Sequence, residues 1–362
     1  MSDDVRHEIR SVLDAVVLPH ADSWEEQGHI PADGWRALAE TGLLSLPHEG
    51  PGFLRSAVFL EELGGTGYAG VRAAIGVHAY MAPAYLRMFG TDAQRAAWLR
   101  SDRIAALAIT EQNAGTDLSS LSTVAKPDGA GHRLTGEKFY VANGSTADYF
   151  VVLAKTREGG TTRVLSGASL FVVDGRSPGI TRHPQRTLGW RAADTCRVSF
   201  DGVVADGVIG RPDRALLQLM PALDFERLVA GLLAVGGVRH CLDLLRSFVR
   251  SHRVRGEALS ANQAVRHRLA DLDAQFELVR AFAHRLAEEH CAGRLDTKAA
   301  AVLKLTATEL AVAAAQACVQ FHGARGYLDD SAPARLYRDA MAGTIAAGAS
   351  ELMRDLIFES GR

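Results

Sequence analysis

The hydrophobic period of this chain changes twice along its length, which rules out a fold built from one kind of element. Over the first hundred residues apolar positions recur at helical spacing: in "DDVRHEIRSVLDAVVLPHADSW", Val5, Ile9, Val12, Leu13, Val16 and Val17 share one face. "PADGWRALAETGLLSL" predicts a helix with Pro31 near its start and Gly42 near its stop. "FLRSAVFLEELG", "RAAIGVHAYMAPAYLRMFG" and "TDAQRAAWLR" predict further helices, the last capped by Thr91. From about Ile104 the pattern turns to short, β-branched, alternating runs. "STVAK" and "RLTGEKFYVA" predict a hairpin turning at Pro127, Asp128 and Gly129, and "DYFVVLAKT", "ASLFVVDG" and "TCRVSFDGVVA" predict more strands. After "GVIGRPD" three long amphipathic helices return, with Ser260 and Asp296 as expected caps of the second and third, and a shorter one follows. The expectation is an α+β protein: an N-terminal α-helical domain over 1–105, a β-barrel or sandwich over 106–208, and a C-terminal four-helix bundle over 209–362.

Bulk properties narrow the partners. A net charge of -2 over 362 residues gives no bias toward nucleic acid or membrane. No apolar stretch is expected to reach the length of a membrane span, and the polar start "MSDDVRHEIR" does not read as a leader. Cys196, Cys241, Cys291 and Cys318 stand far apart without a C-x-x-C pair, which points to a reducing, cytoplasmic setting rather than disulfides or structural zinc. The thirteen histidines show no metal-ligand spacing, so no metal is expected.

Two motifs compete for a cofactor. "GGTGYAG" carries Gly65, Gly67 and Gly70 in G-x-G-x-x-G spacing, but "SAVFLEEL" before it has helical character, so a helix–helix connection is the better reading than a dinucleotide turn. "LAITEQNAGTD" closes an apolar strand with Thr110, Glu111, Asn113, Gly115, Thr116 and Asp117, a loop able to hydrogen-bond a polar ring or a diphosphate, or simply a capped turn. Further on come Asn143-Gly144, Glu226-Arg227 in a helix-opening segment, "QFHGARG" from Gln320 to Gly326, and Arg338-Asp339-Ala340 followed by Ala347-Gly348-Ala349.

In that order these motifs resemble the acyl-CoA dehydrogenase family of flavoproteins, over essentially the whole chain. The resemblance implies FAD between the β domain and the bundle. Leu107, Ile109, Thr110 and Thr116 would line the isoalloxazine and ribityl chain, with Tyr140 to Ala142 on the other side, where relatives usually carry Thr in place of Ala142. Arg253, Gln263, Gln320 and Gly323 would serve the adenosine diphosphate half, given by a neighbouring subunit, which implies a homodimer or homotetramer. Ala349 and Glu351 are also expected at the cofactor, and Thr116, Asp224, Arg227 and Gly348 at the substrate. In most of the family the position of Ala347 is the glutamate that takes the α-proton. A minority, resembling the isovaleryl-type and long-chain-type enzymes, carries its base at the helix position held here by Glu226, whose alternative is a solvated or Arg227-paired residue. The expected reaction is α-proton removal from a small acyl thioester with β-hydride transfer to flavin N5, and the acceptor of the electrons is a flavoprotein or oxygen. The short loop after "SLPHEG", the short chain and the moved base resemble the branch that builds polyketide extender units on an acyl carrier protein. Short or branched acyl-CoA catabolism, and a flavin monooxygenase or oxidase, are the alternatives.

Overall fold

The computed structural model describes residues 3–129, 131–157, 165 and 167–360. Seven helices come first: α1 (Asp3–Val16), α2 (Ala21–Gln27), α3 (Ala32–Glu40), α4 (Phe53–Gly65), α5 (Ala69–Gly76), α6 (Ala82–Phe89) and α7 (Asp92–Trp98). The face read in α1 is the one that is covered, with Ile9, Leu13 and Val17 fully buried. Thr91 closes a capping box, accepting from Gln94 N at 3.2 Å while Gln94 Oε1 accepts from Thr91 N at 3.0 Å. Between α5 and α6 the chain makes a π-helical turn over Val77–Met81. One extra residue in a turn rotates every later side chain about the helix axis by roughly 100°.

The middle sheet has strands β1 (Ala105–Ala108), β2 (Val124–Asp128), β3 (Gly131–Val141), β4 (Tyr149–Lys155), β5 (Ala168–Asp174), β6 (Ile180–Pro184), β7 (Cys196–Val204) and β8 (Gly207–Ile209). Their order is β6-β7-β3-β2-β4-β5-β8, with β1 added parallel to β4. The expected hairpin is β2–β3, but Pro127 and Asp128 remain in the ladder opposite His132 and Gly131, so the turn is tighter than the sequence suggested. Residue 130, in that turn, lies outside the described residues. β4 and β5 are buried on both faces, which is why they read as unbroken apolar runs.

The carboxyl-terminal helices are α8 (Ala215–Ser251), α9 (Gln263–Cys291), α10 (Thr297–His322), α11 (Ala332–Ile345) and α12 (Ser350–Glu359), with a two-strand hairpin, β9 (Arg253–Val254) and β10 (Glu257–Ala258), between α8 and α9. Asp296 caps α10 as expected, accepting from Ala299 N at 2.9 Å. Ser260 does not cap α9. Asn262, two residues nearer the helix, accepts from Ala264 N at 2.9 Å, and Ser260 falls in a preceding 3-10 turn. The membrane expectation also needs correction: α8 and the run Thr297–Tyr327 are long and apolar enough to span a bilayer by composition. Their apolar windows are 72% and 56% buried against neighbouring elements, as inner helices of a bundle are.

Two devices lock the N-terminal helices to α8 and α9. α4 crosses α8 at backbone contact: a Cβ on Gly64 would stand 2.1 Å from Leu233 O, and one on Gly236 would stand 1.9 Å from Glu61 O. "GGTGYAG" is therefore a helix end and a packing contact, with no strand before it. Beside that contact Glu61 and Glu62, 0% and 3% exposed, meet arginines from three helices and a histidine. Arg6 and Arg10 come from α1, Arg239 from α8 at 2.7 Å, and Arg280 and His284 from α9 at 2.9 and 2.8 Å.

Candidate active site

Glu226 stands well inside α8 rather than at a helix opening, and the side chain is 4% exposed. Its Oε1 accepts a 2.7 Å hydrogen bond from the Tyr85 hydroxyl of α6. Burial raises its carboxyl to about 7, with the Tyr85 hydrogen bond and the charge of Arg227 pulling the other way. Arg227 does not pair with it. Its Nη1 donates to Asp224 Oδ1 at 2.6 Å, one turn back, and Asp224 Oδ2 accepts from Thr297 Oγ1 of α10 at 2.6 Å. Asp224 and Arg227, expected at the substrate, are thus engaged with each other, and the Arg227 Nε, also buried, has no acceptor. A carboxylate next to an arginine that is already neutralised keeps an affinity for protons near neutral pH, as a general base requires.

The bare segment "AMAGTIAAGASEL" is the end of α11 and the bend into α12. Ala347 and Gly348 take φ of 53° and 95°, the left-handed region. A Cβ on Gly348 would come within 2.6 Å of Met353 Cε. Beneath the bend Lys304, 0% exposed, donates from Nζ to Gly348 O at 2.5 Å. Burial first, and then the charge of Arg227, lower its ammonium to about 8. Lys304 escaped sequence reasoning; a lone lysine within the apolar face of α10 was its signal. Ala349 is the N-cap of α12, and Glu351 is exposed in its first turn, beside a surface cleft of about 460 Å³ shared with Met341, Ile345 and Arg354.

The flavin-facing expectations converge where the ends of β1 and β3 meet. β1 buries Ala106 and Ala108 and leaves Leu107, with Ile109 and Thr110 just after it, half-buried. Phe139 N donates to Thr110 O at 2.9 Å and Lys138 Nζ to Ile109 O at 3.0 Å, tying β3 beside the end of β1. Between Lys138 and Val141 the register slips, Tyr140 takes φ of 58°, and its ring is left 64% exposed, with Ala142 half-buried two residues on. Thr116 is exposed in the loop beyond. An uncovered aromatic ring, a rim of half-buried aliphatic side chains and a hydroxyl-bearing loop make a surface complementary to a planar ring with polar edges, so these residues fit a flavin.

What shapes that loop is a pair the sequence reading passed over. Glu111 Oε1 accepts from Lys138 Nζ at 2.8 Å, and the same carboxylate takes Ser122 N and Oγ, both at 2.6 Å, and Thr123 N at 2.9 Å. These donors outweigh burial and hold Glu111 down at about 2. The available signal was Lys138 at an inward position of β3, in phase with the buried Leu134.

The adenosine-side expectations lie elsewhere. Arg253, Gln263, Gln320 and Gly323 are all exposed. His252 and His322 both stack on Phe248, at 4.9 and 3.9 Å, which gathers Arg253 with Gln320 and Gly323 at the far end of α8 and α10. The helix from Glu226 to Ser251 spans roughly 37 Å at 1.5 Å per residue. Within one chain this group is remote from Glu226. Among the described residues no group of three or more His, Cys, Asp or Glu could hold a metal.

Comparison with known proteins covers nearly the whole chain. It matches the acyl-CoA dehydrogenase N-terminal domain over residues 2–101, the middle domain over 106–203 and the C-terminal domain over 216–361. It is 30% identical to the mitochondrial long-chain specific acyl-CoA dehydrogenase of Mus musculus, over 98% of this chain and 85% of that one. The crystal structure of an acyl-CoA dehydrogenase from Geobacillus kaustophilus superposes with a TM-score of 0.93 at 31% identity, covering 99% of this chain and 98% of that one. The prolyl acyl carrier protein oxidase AnaB superposes with a TM-score of 0.89 at 26% identity, covering 99% of each chain.

Proposed function

Since the chain belongs to the acyl-CoA dehydrogenase family and is an FAD-dependent oxidoreductase of acyl thioesters, we propose that Glu226 is its catalytic base. The observation that carries this is a buried glutamate with no ion-pair partner among the described residues, raised by burial to about 7. It stands in a chain whose Ala347 cannot take a proton. Glu226 removes the α-proton of the thioester, and the backbone N–H beside the base position at Ala347, near Gly348 on the bend that Lys304 steadies, is the donor we assign to the enolate oxygen. FAD, when bound, supplies the hydride acceptor. Leu107, Ile109, Thr110, Thr116, Tyr140 and Ala142 hold its ring system, and Arg253, Gln263, Gln320 and Gly323 reach the FAD of a partner copy. The remoteness of that second group within one chain supports a homodimer or homotetramer, as do the exposed Tyr327 and Leu328 beside it. The four unpaired cysteines support a reducing cytoplasm.

The substrate class we favour is a small acyl group on an acyl carrier protein, of the kind consumed in polyketide extender-unit assembly. The likeness to the prolyl acyl carrier protein oxidase supports this reading. The identity to the mouse enzyme supports a CoA thioester as the second reading. Anaerobic mixing with a carrier-bound acyl thioester, and separately with the CoA thioester, decides between them by which one bleaches the flavin. Glu226→Gln is expected to bind FAD with an unchanged spectrum and to lose flavin reduction by about 10³-fold or more. Reduction at the parental rate would place the base elsewhere.

A further inference from the structure

We propose that Tyr85 is a positioning residue for the base, its hydroxyl fixing the Glu226 carboxylate in one orientation and holding it in the proton-accepting form. The inference rests on Glu226 being the base. Its grounds are geometric. Tyr85 is 0% exposed and Glu226 4% exposed, and their oxygens are 2.7 Å apart across two helices 141 residues apart in the chain. At that distance the phenol donates to a charged acceptor, the stronger class of hydrogen bond. Tyr85 reaches it because of the π-turn at Val77–Met81, which reorients α6 relative to α5 just before this side chain, and because Pro83 starts α6 without needing an N–H partner.

The surroundings leave this task to Tyr85. On α8 itself Arg227 faces Asp224, and from α10 Thr297 faces the same aspartate while Lys304 faces the Gly348 carbonyl. His48, before α4, stacks on the neighbouring Phe225 ring at 5.8 Å, His290, on α9, lies tilted against that ring at 5.0 Å, and burial disfavours the charged form of both. α4 directs Glu61 and Glu62 to Arg239, more than three turns along α8. Tyr85 is thus the hydrogen-bond donor to Glu226 among the described residues, and a donor to the charged form favours it.

The chemical role follows. Before turnover the phenol keeps the carboxylate ionised at a pH where burial alone would protonate it. After proton transfer the phenol can remain a donor to the carbonyl oxygen of the carboxylic acid, so the group does not swing away between cycles.

The test is the pH profile of anaerobic flavin reduction, measured on the FAD-loaded enzyme with a reducing acyl thioester. Tyr85→Phe is expected to move the acid limb up by about one unit or more, one unit corresponding to a tenfold change in the ionisation constant, with FAD content unchanged. Site-specific 3-fluorotyrosine at position 85, a stronger donor of the same shape, is expected to move the limb down. A merely structural tyrosine gives neither the shift nor the opposite sign. If both variants keep the parental limb while Glu226→Gln is inactive, the role of Tyr85 is overturned and the base stands. If Glu226→Gln is active, both are overturned. Should Tyr85→Phe fail to load FAD, the fluorotyrosine variant alone decides.

Discussion

Glu226 and Glu61 are both glutamates with almost no exposure, and burial pushes both up, yet at Glu61 hydrogen bonds from His284 and Arg6 and the charges of Arg6 and Arg280 outweigh it. The difference lies in what the opposite helices present: a phenol to Glu226, and arginines with a histidine to Glu61. Glu25 belongs with Glu226. Burial, and then the charge of Asp339, raise it to about 7, and its Oε1 has no partner. Folding therefore takes up a proton at this site. The stabilisation is complete below the unfolded value of 4.5 and is lost as pH rises through the folded value near 7. Glu25→Gln, which cannot ionise, is expected to melt a few degrees higher than the parent at pH 8 and within about a degree of it at pH 4.5, as thermal melts across that range would show.

At the scale of elements, α4 and α8 cross at backbone contact. Gly236→Ala puts a methyl group against the Glu61 carbonyl and forces the helices apart. It is expected to cost about 2 kcal/mol or more in urea denaturation, by overpacking. Whether a segment is helix or strand was legible, because burial of one face imposes the 3.6 or 2.0 period directly on Val5, Ile9 and Leu13 or on the alternation in β3. Caps were legible at Thr91 and Asp296, the first of two adjacent candidates in each case. They were not where Ser260 and Asn262 compete within two residues, since the choice depends on where the 3-10 turn ends. The glycines of "GGTGYAG" looked like a phosphate turn because close approach to a diphosphate and close approach to a helix demand the same missing Cβ. The π-turn carries no composition of its own, so the meeting of Tyr85 with Glu226 could not be read before the fold was known. Lys138 and Lys304 were missed for a related reason, since a lysine reads as surface until a carboxylate or a carbonyl is brought to it.

For the molecule as a whole, two opposed groups of carboxylates contribute to stability against pH. Glu61, Glu62 and Glu111 are depressed, so their contribution is present above 4.5 and is lost as pH falls through their folded values. Glu25 and Glu226 are raised and act in the other direction over 4.5 to about 7. Glu61→Gln keeps the shape but strands Arg280 and His284 beside a neutral amide. It is expected to cost about 3 kcal/mol at pH 7, with the difference from the parent shrinking in acid, measured by chemical denaturation at both pH values. The same cluster bears on how the chain is made. Glu61 and Glu62 emerge from the ribosome with Arg6 and Arg10 to meet them, while Arg239, Arg280 and His284 are translated 177 to 223 residues later. Until then the leading helices carry two carboxylates that water must solvate, and α4 lacks the helix against which its glycine edge closes. Synthesis thus runs ahead of folding here: α1 and α4 wait for α8 and α9 before they can dry the interior they share.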